Sequence, residues 1–150
     1  MKVFPYLIFS GNAEDAINFY VTTLGAKVEF MNRFGESPMP VTEEQKNKIL
    51  HSRFTIGDSL IMASDGQHGE TYSGDNISLS IDFTDVEDMK QKFDKLAGGG
   101  KITMPVEDTF WGATFGMLTD KYGIHWMVNC DKKPADSITE AEEKTLDITA

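Results

Sequence analysis

The chain has 150 residues, 40% of them hydrophobic and 11% aromatic, with a net charge of -10 and a pI near 4.6. That length fits one domain with a real core, no apolar run approaches the roughly 20 residues of a membrane span, and the acidity excludes a basic surface of the kind that neutralises phosphates. One cysteine, Cys130, excludes an internal disulfide framework and a multi-cysteine zinc site.

The N-terminal "MKVFPYLIF" is too short and too lightly charged for a signal peptide, which points to a cytoplasmic protein. Residues 3–9, 27–34, 50–56 and 59–64 alternate as four strands, and Gly57-Asp58 is the turn of a hairpin between the last two. A helix falls between the first and second strands. Asn12 is its expected cap, with Asp15 three positions on. Ala13, Ala16, Ile17, Tyr20 and Leu24 recur at helical spacing, and Gly25 closes it.

The pattern then repeats. Residues 77–83 read as a strand, and Thr84 with Glu87 reads as a capping box. Val86, Met89, Phe93 and Leu96 make one apolar face before Gly98. Residues 101–106, 113–119 and 124–129 complete four further strands. An offset of 73 superposes Glu14-Asp15 on Glu87-Asp88 and Gly25 on Gly98; an offset of 65 superposes Ile61-Met62 on Trp126-Met127. The chain therefore reads as α+β, one domain over 1–130 made of two βαβββ modules (1–66 and 76–130). A charged tail over 131–150 follows, as a short helix from Ser137 or Thr139 or as a partly ordered segment.

One helix per module covers one face of its sheet, so strand parity predicts which side chains face the other way. In the first strand Tyr6 and Ile8 are expected under the helix and Pro5, Leu7 and Phe9 opposite. In the hairpin His51, Arg53, Leu60, Met62 and Ser64 share the uncovered side. In residues 76–82, Ile77, Leu79 and Ile81 are expected as core and Asn76, Ser78, Ser80 and Asp82 are not. In the last strand Trp126 is core and His125, Met127 and Asn129 are uncovered. This mixture is too polar for a core and too apolar for a solvent face, and a concavity for a ligand accounts for it. Phe110 and Trp111, in a loop, read as a rim or lid or as a contact with a second subunit. Arg53 reads as an anion receiver or as half of a salt bridge to Asp82 or a Glu. His68 falls in a polar loop and is not counted as a ligand.

Together "PYLIFSGNAEDAINFYVTTLGAKVEF", "FTIGDSLIMASD" and "DTFWGATFGMLTDKYGIHWMVN" resemble the PhnB-like branch of the vicinal oxygen chelate superfamily, over about residues 4–130. That superfamily includes glyoxalase I, bleomycin-resistance proteins, extradiol dioxygenases and methylmalonyl-CoA epimerase. The resemblance implies paired curved sheets forming a cup, and a homodimer. It implies a metal-binding position in the first and last strand of each half, which carries over to Pro5, Met62, Asn76 and Met127. None is a histidine or carboxylate, so the usual divalent site is not expected and no cofactor is predicted. A displaced metal at His51 and His125 is the alternative to both being hydrogen-bonded wall residues.

Members of this branch often carry a demethylubiquinone methyltransferase label. No glycine-rich strand-to-helix loop supports it, since "GGG" at 98–100 follows a helix. Two functions remain open: a small-molecule-binding protein for an anionic or aromatic compound, or a lyase, isomerase or dioxygenase using a displaced metal or a histidine base (His51 or His125). The expected ligand set is Leu7, Phe9, His51, Arg53, Met62, Ser64, Ser78, Phe110, Trp111, His125, Met127 and Asn129.

Overall fold

Backbone ladders in the computed structural model, which describes residues 1–66 and 71–132, gather eight strands into two separate mixed sheets. The first half runs β1 (Tyr6–Phe9), α1 (Ala13–Leu24), β2 (Lys27–Arg33), β3 (Ile49–Ile56) and β4 (Ser59–Asp65). The second runs β5 (Leu79–Phe83), α2 (Val86–Leu96), β6 (Lys101–Asp108), β7 (Ala113–Thr119) and β8 (His125–Asp131). The strand orders, β1-β4-β3-β2 and β5-β8-β7-β6, are the same, with the first and last strand of each half parallel and the others antiparallel. The two βαβββ units read from the sequence are thus present. His68 and the tail beyond Lys132 lie outside the described residues.

Both helices form where the apolar spacing places them, but their caps differ from the local reading. The Asn12 side chain makes no capping bond. The backbone N–H of Ala13 donates instead to Asp65 Oδ1 at the end of β4, and Oδ2 of the same carboxylate accepts from Ile49 N–H, at 2.9 and 2.8 Å. In the second helix the cap is Asp85, not Thr84, and its carboxylate accepts from Asp88 N–H. Gly25 ends α1 with φ of 70°, a left-handed conformation that suits glycine. Gly100 serves close approach, because a Cβ there would lie 2.2 Å from the carbonyl oxygen of Thr119.

One core joins the halves. The Tyr20 ring of α1 packs 6.2 Å from Phe54 of β3 and 5.4 Å from Trp126 of β8, so the helix-covered faces of both sheets lean on the same side chain. Its hydroxyl donates to Asp120 Oδ2 at 2.6 Å, and Trp126 Nε1–H donates to the same oxygen at 2.9 Å. Asp120 Oδ1 accepts from the N–H groups of Tyr122 and Ile124, closing the turn between β7 and β8. Burial first, then the adjacent Asp120 charge, pushes the Tyr20 phenol far above its ordinary value, so it stays a donor.

The parity of β1 is the reverse of the expectation. Phe9 is buried in the core and Leu7 packs against it, whereas Tyr6 and Ile8 are exposed on the uncovered face. Register explains the reversal. Tyr6 pairs with Met62 and Phe9 with Asp65, while Ser80 pairs with Met127 and Phe83 with Cys130. Tyr6 is therefore the counterpart of Ser80, one residue off the offset of 73 that superposes the helices. The turn Ser10–Asn12 has one residue more than Thr84–Asp85, and a one-residue slip exchanges the two faces of a strand. Ile77 also departs from the reading: β5 starts two residues later and Ile77 is 76% exposed.

Candidate functional site

The uncovered face of the first sheet is crossed by a row of side chains set by register. Tyr6 (β1) stands beside Met62 (β4), Met62 beside Arg53 (β3), and Arg53 beside Phe30 (β2). His51 lies two residues from Arg53 on the same face. Its Nδ1 is 2.9 Å from the Tyr6 hydroxyl, the two rings are stacked at 5.6 Å, and Phe30 flanks His51 at 5.5 Å. Among the described residues His51 Nε2 has no hydrogen-bond partner.

Arg53 resolves toward the ion pair, with Glu29 rather than Asp82. Its Nε is 3.3 Å from Glu29 Oε2, yet that atom makes no aligned hydrogen bond. A β-bulge in β2 sets both Glu29 and Phe30 near Arg53, which is why a simple alternating reading of 27–34 does not find the pair. Ser64 follows on this face and is buried.

The second sheet carries the other expected residues. Across it run Ser80 (β5), Met127 (β8), Met117 (β7) and Met104 (β6), again set by register. One row further Asn129 stands opposite Phe115, and its amide donates to Asp131. Trp111 packs edge-on to Phe115 at 5.9 Å and Phe110 edge-on to Trp111 at 5.0 Å, so three rings step out along the β6–β7 hairpin to a Phe110 that is 98% exposed. Ser78 is half-buried ahead of β5.

His125 is committed locally. Nδ1 pairs with the Thr119 hydroxyl at 2.8 Å and Nε2 with the Gly74 carbonyl at 2.6 Å. Since a carbonyl only accepts, Nε2 carries the proton and Nδ1 accepts from Thr119. Neither nitrogen is left for a base or a metal.

The twelve expected ligand residues thus divide. His51, Arg53, Met62 and Ser64 share one open face; His125, Met127 and Asn129, with the aromatic hairpin tip, belong to the other, and Ser78 lies just ahead of β5. Leu7 and Phe9 leave the set because their strand faces the other way. By register the first-strand neighbours of Met62 and Met127 are Tyr6 and Ser80 rather than Pro5 and Asn76. A phenol, a hydroxyl and two thioethers do not fit a hard or borderline divalent ion. Among the described residues no three His, Cys, Asp or Glu side chains converge.

Two hollows lie elsewhere, at the seam between the halves. The larger, about 600 Å³, is bounded by Pro5 and the Ile56–Ser59 turn on one side and Leu79–Phe83 with Lys92 on the other. The smaller, about 210 Å³, has Leu7, Ile8 and His125 in its walls. Neither includes His51 or Arg53. No described helix is long and apolar enough to cross a membrane.

Comparison with known proteins agrees with this architecture. Protein YjdN of Escherichia coli K12 is 38% identical over 143 residues, covering 89% of this chain and 97% of its own. The crystal structure of PA1353 from Pseudomonas aeruginosa shares 40% identity at a TM-score of 0.80, with 89% of this chain and 99% of that one covered. The PhnB protein from Bacillus cereus shares 28% identity at a TM-score of 0.73, covering 87% and 99%. At the level of fold alone, a glyoxylase/bleomycin resistance protein/dioxygenase domain from Frankia matches at 15% identity and a TM-score of 0.65, covering 89% and 93%. Residues 1–129 match the family described as 3-demethylubiquinone-9 3-methyltransferase. On these matches and the paired βαβββ fold, the chain belongs to that PhnB-like family, and it shares the fold of the glyoxylase/bleomycin resistance protein/dioxygenase domain.

Proposed function

We propose that this protein binds a small molecule on its open sheet faces and works as a homodimer in the cytoplasm. In this arrangement the first sheet of one protomer faces the second sheet of its partner, and each pair closes one cup. The observation that carries the reading is the pair of cross-sheet rows: Tyr6, Met62, Arg53 and Phe30 on one, Ser80, Met127, Met117 and Met104 on the other. Each row is mainly apolar or aromatic with a few polar atoms, as ligand walls are, and each is left bare by the single helix of its half. The two are complementary, since methionine sulfur packs well against aromatic rings.

The methyltransferase activity in the family's description draws no support from the two strand-to-helix turns. One N–H at the start of each helix, Ala13 and Asp88, is already engaged by a carboxylate, of Asp65 and Asp85. The enzymatic alternative loses the displaced metal, because His125 is committed to its two local hydrogen bonds, and keeps only the open Nε2 of His51, which is a donor rather than a base when the Tyr6 phenol donates to Nδ1.

Sedimentation equilibrium and native mass spectrometry test the proposal together. The expected result is a dimer of wild-type protein that Met104→Glu with Met117→Glu converts to a folded monomer with loss of any co-purified compound. A wild-type monomer, or a dimer indifferent to both charges, would refute it.

A further inference from the structure

We infer that Tyr6 and His51 act as one unit, in which the phenol sets the imidazole tautomer and His51 Nε2–H joins Arg53 in a two-point subsite for an oxyanion carried on a flat ring. The inference rests on the proposed ligand-binding role of the open faces and deepens it.

The geometry begins with hydrogen-bond direction. A phenol is a better donor than acceptor toward a neutral imidazole nitrogen, and when it donates the proton is left on the other nitrogen. With Tyr6 Oη at 2.9 Å from Nδ1, His51 is held as the Nε2–H tautomer, and the stacked rings fix its plane. Nε2–H is then a fixed donor without a partner among the described residues. Arg53 leaves the same face of β3 two residues on, about 7 Å along the strand. A carboxylate or phosphonate placed between them, about 2.9 Å from each donor, spans that distance.

Glu29 meets Arg53 at its Nε edge only, and the two terminal nitrogens make no hydrogen bond among the described residues. That is the side of a guanidinium that grips oxyanions. The ring follows from the surroundings: Phe30 at 5.5 Å from His51 and Met62 between Tyr6 and Arg53 offer an apolar floor, and Phe30 and Tyr6 are 38% and 42% exposed. In a chain of net charge -10, the open His51 Nε2–H and the terminal nitrogens of Arg53 are donors, with the Glu29 carboxylate confined to the Nε side, and this donor pair selects for an anion.

Benzoate and its neutral isostere benzamide are the probes, titrated against the full-length protein by amide NMR shifts. The His51 nitrogens are followed by long-range ¹⁵N–¹H correlation and assigned with His51→Gln. Wild type is expected to show the Nε2–H pattern at His51 and to bind benzoate more tightly than benzamide. Tyr6→Phe should mix the tautomers and weaken benzoate about fivefold, the worth of one hydrogen bond, while leaving benzamide unchanged. Arg53→Ala should weaken benzoate about tenfold or more, and Glu29→Gln should strengthen it. Equal binding of the two probes on the first sheet would overturn the oxyanion subsite and leave the open-face reading standing. An unchanged His51 tautomer in Tyr6→Phe would overturn the dyad. No shift on the first sheet with either probe would sink both readings.

Discussion

Replacing Tyr20 with Phe removes a single oxygen atom from the point where the two halves meet. The side chain is fully buried, and its hydroxyl donates to Asp120 Oδ2 over 2.6 Å. Asp120 retains its three other donors, Trp126 Nε1 and the backbone N–H groups of Tyr122 and Ile124, so the carboxylate stays in place. A hydrogen bond to a charged acceptor contributes about 1.5–3 kcal/mol, and the ring still fills its space, so the expected loss is about 2 kcal/mol. For a chain of this size that corresponds to a Tm lower by roughly 4–8 °C. Asp120→Asn should cost more, about 3 kcal/mol, because an amide nitrogen in place of Oδ2 would set one donor against the Trp126 N–H. Urea unfolding followed by far-UV circular dichroism and tryptophan fluorescence is the assay. The midpoint should fall with an unchanged slope and the two probes coincident. A loss below about 0.5 kcal/mol, or a transition that splits into two, would refute the reasoning, since the first denies the bond its weight and the second denies the halves a common core.

Asp65→Ala should destabilise by about 2–4 kcal/mol, because it strips partners from the buried N–H groups of Ala13 and Ile49 at once; thermal melts of this variant beside Asn12→Ala, expected near neutral, check which residue caps α1. Gly100→Ala should cost at least about 2 kcal/mol, as its methyl meets the Thr119 carbonyl at 2.2 Å and backbone must move, and soluble yield with chemical denaturation reads it out. The hydrogen bond from Arg33 holds the Glu14 carboxyl below its ordinary value of 4.5, so its stabilisation is present above that pH and is lost as pH falls through the lowered value. Glu14 is two-fifths exposed and screened, which limits the effect to about 1 kcal/mol, and Arg33→Gln should flatten the stability profile as pH falls below 4.5.

What the sequence made legible and what it hid separate along one physical line. The halves, both helices, the 57–58 hairpin and the face on which Arg53 and His51 stand follow from periodicity and turn chemistry, which act between near neighbours. β1 offers no such signal: all four residues of Tyr-Leu-Ile-Phe are apolar or aromatic, so alternation cannot choose a face, and the choice passes to the length of the turn that follows. The caps depart from the local rules for a related reason. Asn12 and Thr84 satisfy local rules, but Asp65 reaches Ala13 across 52 positions and competes better because both of its oxygens find donors in a buried place. Asp120 bonds Tyr20 across 100 positions, and Gly74 takes His125 across 51.

The same distinction bears on the site. His51 and His125 read alike in sequence, each on the uncovered parity of its strand. They part only when folding supplies one with a carbonyl and a hydroxyl and the other with a single phenol. A ring with both nitrogens filled has no hydrogen-bonding capacity left; one with a nitrogen unpartnered among the described residues retains it. The reversal of β1 gives this contrast its weight, because turning Tyr6 outward brings the phenol to His51. One extra residue between β1 and α1 therefore determines the chemistry of the open face, and deleting Gly11 should return Tyr6 to the helix side at the expense of Leu7 and Phe9.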